Sequence, residues 1–212
     1  MSKVSQHFNE IAINYDAYKS PVNLYYAVLK KAVRQQITHT DIRVLDIGCG
    51  TGNILDFLRP KSGVGVDISS SMIKIAKRKF ASIPTLKFYV HDIEQKSVRG
   101  SFDYILFNDV IEHVINKAAT IKNIAASMGK NTVLVLSMAN PIWEPVLMLL
   151  ERLHLKMPEG PHERILESQL ISILGKYRLR IISKQIYFPH IRWPFLKDIG
   201  LIYVYQIKKF TP

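Results

Sequence analysis

A single cysteine among 212 residues removes several chemistries at once. Cys49 cannot close a disulfide within the chain and cannot build a cysteine-rich zinc site. No base adjoins it in sequence to make a thiolate, so it reads as a small side chain in a tight place rather than a nucleophile. Long apolar runs are missing too. The longest candidate, 141–150, is broken by Glu144 and Pro145 and falls well short of the roughly 20 residues a membrane span needs. The opening MSKVSQHFNE holds no apolar signal-peptide core, which makes the cytoplasm the expected compartment. Acidic residues are scarce, 17 against 29 lysines and arginines, for a net charge of +12. Such an excess favours acidic partners: nucleic acid, anionic lipid or a charged small molecule. The positive residues are scattered through KKAVR, KIAKRK, KYRLR and IKK, without the dense run of a nucleic-acid arm. Repeats, low-complexity tracts and Gly/Ser linkers are absent, and the length suits one domain with a proper core.

What is present is an alternation of helix and strand. Val22–Ile37 has apolar residues three and four apart and is expected to be a helix. Ile42–Ile47 reads as a strand and Asn53–Leu58 as a helix opening. Val64–Val66 is a second strand ending at Asp67, after which Ser69 or Ser70 caps a helix through MIKIAKRKF. Leu86–Val90 and Phe102–Phe107 are the third and fourth strands. A helix over Asn116–Met128 then precedes a fifth, buried strand, TVLVLSM. Strands and helices joined by short connections predict a parallel sheet with helices on both faces. After Met138 the rhythm breaks: an apolar helix and a Pro/Gly-rich loop precede a helix over Glu167–Gly175. Two strand-like segments, RLRIISKQIYF and GLIYVYQIKK, close the chain as an antiparallel hairpin.

The stretch VLDIGCGTGNI places glycines at alternate positions directly after a buried strand. In open parallel sheets, ligands bind outside the carboxyl ends of strands. Gly48 and Gly50 fit the first two places of the dinucleotide fingerprint G-x-G-x-x-G, but the third falls on Asn53. A phosphate-binding P-loop fares worse, since no Gly-Lys-Ser/Thr follows. Carboxylates recur at successive strand ends: Asp67, Asp92 and Asp109. A carboxylate ending the second strand suits the two hydroxyls of a ribose; Asp92 and the Ile93 amide could read an adenine edge. A ligand with ribose, adenine and a cationic tail fits this ring, and S-adenosylmethionine is such a ligand.

With these segments in view, the chain resembles the class I S-adenosylmethionine-dependent methyltransferases. The resemblance runs from about Phe8 to the C-terminal strands and is densest over Val44–Met138. VLDIGCGTGN is similar to the family's first motif, VGVDISSSMIKIAK to its second, and the segments around Asp92 and Asn108–His113 to later ones. It implies an α/β, Rossmann-like seven-stranded sheet flanked by helices, in the order 3-2-1-4-5-7-6 with the last strand antiparallel. It also implies a single domain over 1–212, with an N-terminal helical cap (1–40) and a substrate-side insertion after the fifth strand (139–166). Gly48, Cys49 and Gly50 would form the loop at the methionine moiety, with Asp46 orienting that loop or the ammonium group. Asp67 would bind the ribose, Ile68 or Met72 would border the adenine, and Asp92 with Ile93 would hold its edge. Asn108 and Asp109 would line the methionine side. HFNEIAINYDAY resembles the N-terminal helix of quinone and small-molecule methyltransferases, where Tyr15 would close over the cofactor. The departure is MGKNTVLVL, where the family often has a Pro-Gly-Gly turn.

The implied activity is transfer of a methyl group from S-adenosylmethionine, leaving S-adenosylhomocysteine, to a small-molecule or lipid-like acceptor, with oxygen as the favoured atom. His113, just beyond the fourth strand, is the candidate general base. Trp143, His162, Arg164 and His190 are candidate substrate residues on the insertion and the hairpin loop. The apolar helix over Trp143–Leu153 could be core, a lid, or a peripheral contact with the inner face of an anionic membrane. Two competing readings stand beside this one. The net charge prompts an RNA methyltransferase, against which NDVIEH lacks the Asn/Asp-Pro-Pro-Tyr/Phe form of many enzymes that methylate base amines. The other is a cofactor-binding module without catalysis. No metal site is expected, because His154 and His162 lie far apart and lack a third ligand.

Overall fold

The computed structural model describes residues 2–18, 24–153, 158, 160–187 and 200–210. Seven strands form one sheet: β1 (Arg43–Ile47), β2 (Ser62–Asp67), β3 (Leu86–Val90), β4 (Tyr104–Asn108), β5 (Val133–Ala139), β6 (Leu179–Tyr187) and β7 (Ile202–Lys209). Their order is β3-β2-β1-β4-β5-β7-β6. Strands β1 to β5 pair in parallel, whereas β7 runs antiparallel to both β5 and β6. The chain leaves β1 toward β2 and β3 on one side and returns to β4 and β5 on the other. That reversal opens a crevice at the carboxyl ends of β1 and β4, where a ligand can enter between diverging connections.

Alternation along the strands divides the core between the two faces. Leu45, Ile105 and Leu134 point to one face, against Ile121 and Ile124 of α6 (Lys117–Ser127) and Leu170 and Leu174 of α8 (Glu167–Lys176). Val44, Leu106 and Val135 point to the other, against Leu29 and Val33 of α3 (Leu24–Gln35), Leu55 of α4 (Asn53–Leu58) and Ile73 of α5 (Ser70–Lys79). All of these are buried, and each aliphatic side chain contributes about 1.5–3 kcal/mol.

Local chemistry explains the boundaries. Ser69 caps α5 by accepting from the Met72 N–H at 3.1 Å, and Asn116 caps α6 through the Ala119 N–H at 2.9 Å. Helix α3 ends two residues before the expected Ile37, because the N–H groups of Gln36 and Ile37 bond three residues back, to Val33 and Arg34. The turn that departs from Pro-Gly-Gly is held by Thr132, whose hydroxyl accepts from Gly129 N–H at 2.9 Å and donates to Phe102 O at 2.6 Å. The glycine of the loop that fits no dinucleotide fingerprint, Gly52, has φ +85° and precedes α4. A Cβ there would lie 2.7 Å from the Phe88 ring, so close packing requires the missing side chain.

The elaborations are α1 (Lys3–Ile11), a 3-10 turn over Ala12–Asn14 and α2 (Tyr15–Tyr18) at the start, and α7 (Glu144–Arg152) after β5. The apolar face expected along α7 splits in two. Leu147 is buried, while Val146, Leu149 and Leu153 are exposed. His190 and Trp193 lie outside the described residues. No helix among the described residues is long and apolar enough to cross a membrane.

Candidate functional site

A cavity of about 500 Å³ opens at the carboxyl ends of β1, β2 and β4. Its floor is the loop after β1, where Gly48 and Gly50 have φ +74° and +53°. At Gly50 a Cβ would sit 3.1 Å from the Tyr15 ring, so the bare backbone lets that ring lie against the loop. Cys49 is buried there, and burial, then the Asp67 and Asp46 charges, push its thiol up. It stays a neutral thiol, as its reading as a packing residue requires.

Asp67, the last residue of β2, ties the floor together. Its Oδ2 accepts from Gly50 N–H and its Oδ1 from Ser69 N–H, both at 2.8 Å. A carboxylate offers about four lone-pair positions, so acceptor capacity remains for two hydroxyls. Burial raises its pKa and the backbone hydrogen bonds oppose that rise. Beyond it, Ile68, Met72, Asp92 and Ile93 line the adjoining wall, with Met72 and Ile93 buried. Asp92 Oδ1 accepts from Glu94 N–H at 2.9 Å.

At the ends of β1 and β4 the cavity is lined by polar groups without partners among the described residues. Asp46 is 2% exposed, and its Oδ2 makes no hydrogen bond there; Asn108, 8% exposed, has neither carboxamide atom bonded. An unsatisfied buried polar group costs about 1–3 kcal/mol, and such groups facing a cavity are what a polar ligand would satisfy. Burial, then the neighbouring Asp67 charge, pushes the Asp46 carboxyl up to about 7. Asp109, by contrast, is committed to the protein. Its Oδ1 accepts from the Ser137 hydroxyl at 2.7 Å and its Oδ2 from Tyr25 at 3.0 Å, so it braces the wall more than it faces a ligand.

The N-terminal elements cover this cavity. Asn9 Oδ1 accepts from Ser69 Oγ at 2.7 Å and from Ser71 N–H at 3.0 Å, docking α1 on the start of α5. Asp16 accepts from Thr51 Oγ1, from Asn53 Nδ2 at 2.9 Å and from Lys79 Nζ at 2.7 Å, docking α2 on the glycine loop. Burial raises its pKa, but these bonds outweigh burial and hold it below the usual carboxylate value. Val4, Phe8, Tyr15, Tyr25 and Tyr26 thereby line the cavity. Phe8, Asp16, Tyr25 and Tyr26 were not singled out as site residues. The tyrosines' only signal is helical spacing, which core residues share.

His113 also lines the cavity. Its Nδ1 lies 3.1 Å from Pro161 O, and the Phe8 ring meets it edge-on at 5.3 Å. The preceding Glu112 is 3% exposed; its Oε1 accepts from Ala139 N–H at 3.1 Å and its Oε2 pairs with Arg164 Nη1 at 2.8 Å. Arg164 Nε also donates to Glu144 Oε2, and Glu144 Oε1 lies 2.9 Å from His162 Nε2. Burial pushes the Glu144 carboxyl up, but the bonds from His162 and Arg164 outweigh it and hold it below its ordinary value. Arg164 reaches the cavity, whereas Trp143 and His162 are not among its described lining residues. His162 acts one step back, clamping the 160–164 loop through Gly160 O and Glu144. The role of Glu144 was missed, because its partners lie 18 and 20 residues away.

Comparison with known proteins agrees with this geometry. Residues 23–184 match the family model described as a methyltransferase domain. The chain is similar to a ubiquinone biosynthesis O-methyltransferase of Bradyrhizobium diazoefficiens, 30% identical over 77% of this chain and 69% of that protein. It is also similar to a malonyl-[acyl-carrier protein] O-methyltransferase of Bacillus anthracis, 27% identical over 63% of this chain, although the chain spans about half the length of that relative. Among solved structures, magnesium protoporphyrin IX methyltransferase from Synechocystis PCC 6803, with bound S-adenosylhomocysteine, shares the fold. Its TM-score is 0.73 at 20% identity, over 98% of both chains.

Proposed function

The chain belongs to the class I S-adenosylmethionine-dependent methyltransferase family, and on that premise we propose that it methylates a hydroxyl of a small-molecule or lipid-like acceptor. The observation that supports this reading is that Asp46 Oδ2 and the Asn108 carboxamide, buried and without hydrogen-bond partners among the described residues, line the same cavity as the glycine loop. They fit the polar, cationic methionine end of the cofactor. Asp67 fits the ribose, and Asp92, Ile93, Ile68 and Met72 fit the adenine.

When bound by these residues, the cofactor would supply an electrophilic sulfonium methyl for the acceptor oxygen, with S-adenosylhomocysteine as the other product. The protein's work is to hold the acceptor in line, exclude water and take the hydroxyl proton. Tyr15 and Phe8 close the cavity from the N-terminal side. In this reading His113, which lines the same cavity, accepts the proton. With Nδ1–H donating to Pro161 O, the neutral ring keeps its lone pair on Nε2. In this reading residues 1–40 form a cap on the domain and 139–166 an acceptor-side insertion. Arg164 shapes the acceptor side, while His162 positions it.

We also propose peripheral contact with an anionic membrane, supported by the exposed Ile142, Val146, Leu149 and Leu153 and the net charge of +12. The test of the enzymatic reading is calorimetry with S-adenosylmethionine, S-adenosylhomocysteine and NAD. Micromolar binding of the first two, about −8 kcal/mol, and its weakening in Asp67→Ala are expected. Binding of NAD alone would overturn it.

A further inference from the structure

The charge of the cavity runs against that of the chain. Although the whole protein carries +12, six carboxylate side chains line the cavity: Asp46, Asp67, Asp92, Glu94, Asp109 and Glu112. Among the described lining residues, one permanent cation stands with them, Arg164. Its side chain is 13% exposed and is held between two glutamates, Glu112 at 2.8 Å and Glu144. A guanidinium so paired has its charge already answered, and a third carboxylate brought to it would stand against two like charges with little water to screen them.

His113 points the same way. Its Nδ1 lies 3.1 Å from Pro161 O, a carbonyl that can only accept, so in the neutral ring the basic lone pair falls on Nε2. A carboxylate acceptor is already anionic at neutral pH; it needs a cation to hold it and no base to activate it. A neutral hydroxyl needs the reverse, a base and no counter-charge. Beside His113 stand the Phe8 ring, edge-on to the imidazole, and the His162 ring at 6.1 Å, and Val4, Val114, Leu147 and Leu201 add apolar surface to the lining of the same cavity.

Resting on the methyltransferase reading, we infer that the acceptor side of the cavity selects an uncharged hydroxyl compound with an apolar body, a phenol or aliphatic alcohol, and rejects carboxylates. This separates the two chemistries that an oxygen-methylating enzyme can have, ester formation on an acid and ether formation on a hydroxyl, and assigns the chain to the second.

The experiment uses a matched pair, 4-hexylphenol and 4-hexylbenzoate, titrated at pH 7.5 into protein saturated with S-adenosylhomocysteine. The phenol is neutral there and the benzoate ionised. The phenol is expected to bind about tenfold more tightly or better. Equal or tighter binding of the benzoate overturns the inference, as does binding of neither probe. Failure to bind S-adenosylhomocysteine is a separate result and strikes the methyltransferase reading instead. Glu144→Gln removes one of the two carboxylates described as paired with Arg164. With S-adenosylhomocysteine affinity retained, it is expected to narrow the phenol–benzoate gap by about fivefold. An unchanged gap in that variant refutes the role given to the paired arginine.

Discussion

Asp46→Asn separates stability from function at one buried atom. Burial, then Asp67, holds the Asp46 carboxyl at about 7 against an ordinary 3.8. An acid with a raised folded pKa keeps its proton in the native state after the unfolded chain has lost it. Stability is therefore lost as pH rises from about 4, and the loss levels off above about 7. At about 1.36 kcal/mol per unit, the penalty is about 1.5 kcal/mol at pH 5 and about 4 kcal/mol at pH 8. Asparagine cannot ionise but brings its own burial cost, about 1–3 kcal/mol if unpartnered. That cost is the same at both pH values and cancels in the comparison. Urea denaturation of both proteins at pH 5 and pH 8 should thus show the variant gaining about 2–3 kcal/mol relative to wild type between the two conditions. S-adenosylhomocysteine, whose ammonium favours an ionised Asp46, should bind wild type up to about tenfold more tightly for each unit that pH rises toward 7, and the dependence should flatten above it. A stability difference independent of pH would refute the assignment of a buried, protonated Asp46.

His113→Gln keeps a polar side chain against the 160–164 loop but removes the base; methyl transfer to a phenol should fall about 10²–10⁴-fold, with S-adenosylhomocysteine affinity unchanged by calorimetry. A comparable loss of cofactor affinity would mark His113 as structural. Gly50→Ala places a side chain at φ +53° and 3.1 Å from Tyr15. A left-handed alanine costs about 1–2 kcal/mol of folding free energy, which should lower the melting temperature, and the methyl's displacement of the Tyr15 ring should weaken cofactor binding about tenfold. Unchanged affinity would show that the loop and Tyr15 do not close on the cofactor together.

The parts that could be read beforehand have local causes. The β3 bounds, the extent of α4 and the Ser69 cap match expectation because strand alternation, helix spacing and capping act within a few residues. The loop from Gly48 to Gly52 and the carboxylates at Asp67 and Asp92 could be placed because in a parallel sheet every strand end faces the same crevice. Asp109 shows where that argument stops. Its position at a strand end was foreseen, but its capture by Ser137 and Tyr25, 28 and 84 residues away, was not. The insertion after β5 fared similarly: Arg164 reaches the cavity, whereas His162 bonds Gly160 O and Glu144 behind it.

By itself, then, the sequence determined the alternating parallel core and the tight glycine loop after its first strand, since these follow from periodicity and from the few residues that tolerate such a turn, while the strand order came from the resemblance to a family. Only the tertiary structure decided which polar groups remain unpartnered for a ligand and which are spent on the protein. Asp46 and Asn108 are left open and Asp109 is not. Arg164 is neutralised by Glu112, 52 positions earlier, and by Glu144. A side chain's charge is local, but its availability depends on what the fold brings within about 3 Å of it, and no spacing along the chain encodes that distance.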